Sequence, residues 1–241
     1  MITILKKLFG RESIEDKISD NDKVVSTKLF SKKASTLDEV REKARTIQRS
    51  SCGCYRHGAR NLFYQEKNDD PERTLALYEI VYPSLHSYCN STRTSYSSNN
   101  DTVLRDTFFA SMEVISDRKG NLEDTIRLNY RIIRDLNENL EHQNIIINRF
   151  GSDCAVNLIK EAINFANDNR SYESLLILRN AEELAKIIGD KSAHEVVSDL
   201  KKSYLGKAIR EINELGDLKN KARKLYCIGN FVFSCDKTGL K

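Results

Sequence analysis

Between Ala155 and Asp190, large and small side chains recur at fixed steps: Leu158, Ala162, Phe165, then Ser174, Leu178, Ala181. A polar turn, Asn167-Asp168-Asn169-Arg170, separates the two sets. Small residues let two helices approach closely, and large ones fill the space beside them. The stretch therefore predicts two helices of similar length folded back on each other. Only two prolines, ten glycines and few β-branched runs interrupt the remaining chain, which favours helix throughout. The expected fold is all-α, a stack of helical hairpins forming an α-solenoid, with an irregular helical bundle as the alternative.

Capping signals place the other elements. Thr36 with Glu39 forms a capping box, so a helix starts at Leu37 and runs to about Gln48. Ser50 to Cys54 interrupts it, and helix resumes from Tyr55 to Lys67. Asp70-Pro71-Glu72 starts the next, with Leu75, Tyr78 and Val81 inward and Pro83 bending or stopping it. Asn90 to Asn100 is a Ser/Thr/Asn-rich loop. Asp101 caps a helix that Gly120 ends, and Asn121 with Asp124 opens one through Ile133 to Leu140. Ser152 opens the first helix of the Ala155–Asp190 hairpin, and Gly189 closes the second. Ser192 with Glu195 caps a helix toward Leu215, Gly216-Asp217 turns into a last one around Ala222 and Tyr226, and Asn230 to Phe233 forms a short extended tail.

Hairpin turns thus fall near Asp69, Gly120, Asn169 and Gly216, about 51, 49 and 47 residues apart. Near-regular spacing of this kind is produced by a stacked array. The boundaries are a short amphipathic segment and linker over 1–35, a helical repeat-like domain over 36–229, and a tail over 230–241.

With its steps of four, three, nine, four and three residues, the Ala155–Asp190 hairpin resembles a tetratricopeptide repeat. Glu161 and Lys186 stand where that family usually carries leucine and proline. At the same steps, Phe109, Glu113, Ser116, Thr125, Asn129 and Ile132 keep the turn and the first large residue. Tyr204 and Ala208, then Ala222, Tyr226 and Gly229, fit with a turn two residues longer. The resemblance implies a non-catalytic module that holds a peptide or partner protein on a concave face, as an adaptor or an inhibitor. It carries over no binding residue, because the matching positions are packing positions.

Charge is unevenly distributed. Met1 to Arg60 carries +6, Asn61 to Leu200 −8 and Lys201 to Lys241 +6, which together give the net +4. Such a pattern suits a partner protein of opposite sign or solvated helix faces. It also raises a second possibility, RNA or DNA binding. Lys201, Lys202, Lys207 and Arg210, with Lys219, Lys221, Arg223 and Lys224, are candidates for one cationic ridge with Tyr204 and Tyr226 among them. Residues 1–10 place Ile2, Leu5 and Phe9 opposite Lys6-Lys7, which allows weak contact with an anionic membrane surface or docking into a groove.

Six scattered cysteines, no apolar run near the ~20 residues a bilayer span needs, and no signal-peptide pattern point to a reduced, cytoplasmic protein. Cys52-Gly53-Cys54 with His57 is the one cluster of metal-ligand character, and His86 or Cys89 would complete a zinc tetrahedron. The alternative is a helix break with incidental thiols. No nucleophile elbow, phosphate loop or His-Glu-x-x-His is present. No cofactor and no catalytic residue are therefore expected, with an enzyme or zinc protein built around Cys52, Cys54 and His57 as the third reading. Oligomeric state is not legible.

Overall fold

In the computed structural model, residues 33–49, 55–85, 99–138 and 143–233 are described, with the side chains of 33–49, 58–85, 103–135 and 153–233. Every regular element among them is helical: α1 (Leu37–Arg49), α2 (Tyr55–Glu66), α3 (Pro71–Leu85), α4 (Asn99–Asp117), α5 (Leu122–Glu138), α6 (Gln143–Asn167), α7 (Ser171–Ile188), α8 (Lys191–Glu214) and α9 (Leu218–Cys227), then a π-turn, Ile228–Val232. No helix among the described residues is long and apolar enough to cross a membrane.

The chain forms two compact units. The first holds α1, α2 and Ala76–Leu85 of α3. Val40, Ala44 and Ile47 of α1 are buried, as are Ala59, Leu62 and Phe63 of α2. The two helices cross closely at Gly58, where a Cβ would lie 3.0 Å from Ile47 Cγ2. Beside this crossing the fully buried Glu66 accepts the Ala34 amide at 2.9 Å and Lys43 Nζ at 2.6 Å. The capping box holds, with the Glu39 amide donating to Thr36 Oγ1 at 3.2 Å. Pro83 does not stop α3, which continues two residues further.

The second unit holds Asp69–Leu75 and everything from α4 to the π-turn. At its centre lies α7, with 13 of its 18 residues buried. It packs against α5, α6, α8 and the π-turn. All six positions of the Leu158-to-Ala181 pattern are fully buried. Where the small residues meet, Ser174 Oγ donates to the Ala162 carbonyl at 2.7 Å, a bond possible only at close helix approach. The intervening turn is closed by Asn169 at φ 57°, a conformation Asn tolerates better than most residues.

Several boundaries differ from the sequence expectation. Helix α4 starts at Asn99, two residues before Asp101. Helix α6 starts at Gln143 rather than Ser152, so Gly151-Ser152 lies inside it. The cap of α8 is Asp190, whose Oδ1 accepts the Ala193 amide at 2.9 Å, and not Ser192. Gly189, at φ 72°, closes α7 as expected and leaves Asp190 placed to open α8 at once. The tail expected over Asn230 to Phe233 is instead mostly helical, a π-turn continuing α9. Residues 90–98 of the expected loop, and the amphipathic segment over 1–10, lie outside the described residues.

Candidate functional site

Helix α9 is opened by Asp217, whose carboxylate accepts the Lys219 amide at 2.9 Å. Its sequence, LKNKARKLYC, contains four cations and no acid. At 100° per residue these ten residues divide cleanly around the axis. Cys227 is buried and faces the core. Arg127 Nη2 donates to its Sγ at 2.9 Å. Flanking Cys227, Arg223 reaches Glu123 at 3.1 Å, and Lys224 Nζ stands 4.3 Å from the centre of the Tyr172 ring. Burial pushes the Tyr172 hydroxyl well above its usual range. The inner half of α9 is thus fixed by a thiol, an ion pair and a ring.

The outer half has no such partners. Leu218 is 78% exposed, Leu225 40% and Tyr226 72%, and Ala222 is exposed between them. Their spacing of i, i+4, i+7 and i+8 gathers them into one stripe roughly 100° wide. Lys219 borders one edge of the stripe and Lys221 the other. Neither lysine has an ion-pair partner among the described residues.

Below α9 the π-turn closes over α5 and α7. Ile228 and Val232 are buried, and the Phe231 ring meets Tyr130 edge-on at 4.9 Å with Arg127 5.5 Å from its centre. Arg179, only 2% exposed, donates to Tyr130 Oη at 3.0 Å and to Glu182 at 2.7 Å. Lys201 reaches the same Glu182 at 3.2 Å and lies 5.0 Å from the Phe233 ring centre. Burial alone would raise the Glu182 carboxyl, but Arg179 and Lys201 outweigh it and hold it below the usual carboxylate range. Burial in turn pulls Lys201 below the ordinary lysine range, against the attraction of Glu182. These charges are committed to one another.

The eight basic candidates therefore do not share one role. Lys201 is buried, Arg223 is paired with Glu123, and Lys224 lies against Tyr172. Lys202 pairs with Asp199 at 3.3 Å, and Lys207 stands over Tyr204 at 5.8 Å. On α8 the directions of Lys202 and Lys207 differ by about 140°, with the exposed Arg210 between them, about 80° from the first and about 60° from the second. Arg210 remains exposed on α8, and Lys219 and Lys221 remain as the rims of the α9 stripe. Ala222 and Tyr226, matched to packing positions in the sequence, point outward instead. The stripe was present in the sequence as helical spacing, of which the repeat steps take up only Ala222 and Tyr226, as packing positions.

Of the metal candidates, Cys52 and Cys54 lie outside the described residues, as does the side chain of His57. Among the described residues no group of three or more His, Cys, Asp and Glu is placed to hold a metal ion. Compared with protein-family models, curated proteins and solved structures, the chain matches none.

Proposed function

We propose that this chain is a non-catalytic protein-binding module, an adaptor or inhibitor, that docks a partner through the outward face of α9. The supporting scaffold is read as a tetratricopeptide-like array in which the hairpins α4–α5, α6–α7 and α8–α9 succeed one another. The single observation carrying the docking role is Leu218, Leu225 and Tyr226 standing exposed in one stripe on a helix whose opposite face is fixed. Isolated surface leucines need no explanation, whereas an aligned apolar stripe with an aromatic at its end marks an interaction site. Exposed Lys219 at one rim and Lys221 at the other favour a partner of negative charge and speed encounter with it.

Affinity purification from native lysate tests the reading. A stoichiometric protein partner is expected, lost in a Leu218→Asp, Tyr226→Asp double variant and weakened by salt. Recovery of nucleic acid alone, or recovery of the partner undiminished by the double variant, would refute it.

A further inference from the structure

We infer that the occupant of the α9 stripe is an acidic amphipathic helix of a partner protein, a conclusion that rests on the docking role proposed above. Both the apolar width and the charges of α9 lead there. A stripe of Leu218, Ala222, Leu225 and Tyr226 presents side chains at helical intervals, and another helix matches such a row most economically, laying its own i, i+3, i+4, i+7 residues alongside. The lysine on each rim then meets whatever flanks the partner's apolar row, and carboxylates are the complement. The stripe covers about 12 Å of helix, from the eight steps of 1.5 Å between Leu218 and Tyr226, or two turns of a partner helix.

Charge also eliminates the other occupants. A second copy of α9 would bring Lys219 and Lys221 against their own equivalents, and like charges at the rim repel. Residues 1–10 carry Lys6 and Lys7 and no acid, so they face the same repulsion. An anionic bilayer attracts lysines, but stable attachment needs a longer apolar face or a larger basic cluster. Here Arg223 is exposed but paired with Glu123, and Lys224 lies against Tyr172, which leaves a cluster too small for such attachment. Phosphate chains of RNA would read charge alone and leave the apolar row of Leu218 and Leu225 uncovered.

The test is titration of the full chain, followed by fluorescence anisotropy, with a synthetic amphipathic helical peptide of about 18 residues, long enough to hold helix. One version carries leucines at i, i+3, i+4, i+7 flanked by glutamates, and the other replaces each glutamate with lysine. The acidic peptide is expected to bind at least about tenfold tighter than the basic one. A Lys219→Glu, Lys221→Glu variant should reverse that order, and Leu218→Asp should weaken binding about tenfold. Far-UV circular dichroism of each variant confirms that these exposed substitutions leave the fold intact. Equal affinity for both peptides overturns the inference, as does tighter binding to phosphatidylserine vesicles or to single-stranded RNA. If the acidic peptide does not bind while partner recovery from lysate still depends on Leu218, the assigned chemistry falls and the docking role stands. If recovery ignores Leu218, the docking role falls as well.

Discussion

Asn180 lies fully buried in the middle of α7, where an amide without partners would be costly. Its Nδ2 donates to the Ile126 carbonyl and to Asn129 Oδ1, both at 2.8 Å, and Asn129 passes a bond at 2.7 Å to Ser111 Oγ. Ser111 in turn donates to the Phe108 carbonyl at 2.6 Å, so one polar chain ties α7 to α5 and α4. Periodicity analysis places Asn129 at a packing step but assigns it no partner, because nothing in spacing pairs two asparagines 51 residues apart. Asn180→Ala removes both donations and takes the donor from Asn129 Oδ1, while the Ile126 carbonyl keeps its bond within α5. It should cost about 1–3 kcal/mol of unfolding free energy, measured by urea denaturation. A loss below about 0.5 kcal/mol would show that Asn129 Oδ1 finds another partner.

Among the elements, cap choice decides boundaries that hydrophobic periodicity leaves loose. Ser192 and Glu195 have the right types and spacing for a capping box, yet Gly189 has already turned the chain, so Asp190 is the first acceptor available. Asp190→Ala should destabilise by about 1 kcal/mol, and Ser192→Ala should fall within about 0.5 kcal/mol, both read from thermal unfolding. The reverse order would restore the sequence assignment. A similar substitution occurs at the start of α7, where Arg170 provides no side-chain cap. Glu211, from α8, accepts the Ser171 amide at 2.8 Å and the Tyr172 amide at 3.3 Å instead. A cap supplied 40 residues away carries no local signature. What was legible was the hairpin itself. Leu158, Ala162, Phe165, Ser174, Leu178 and Ala181 form a pattern that short-range geometry dictates, and each is buried.

Across the molecule, the basic C-terminal block proves heterogeneous. Counting Lys and Arg along the chain joins Lys201 to Lys219, although one lies buried against Glu182 and the other borders an exposed apolar stripe. Sequence alone could not separate them, because the difference depends on how α8 and α9 rotate against α5 and α7. Tyr226 fits both a packing step and the cationic ridge for the same reason: in a helix with two amphipathic faces, periodicity identifies both and cannot say which one faces inward. Here the inward face is announced by Cys227 and its Arg127 contact, a polar pairing that hydrophobicity scales overlook.

That thiol makes the attachment of α9 measurable. Cys227 is 4% exposed, so a maleimide reaches it only when the last helix lifts from the body. Its labelling rate, followed by peptide mass spectrometry, is therefore a stopwatch for that lifting, and Arg127→Ala should run it faster. A partner gripping α9 from outside would slow the same stopwatch without ever touching the sulfur.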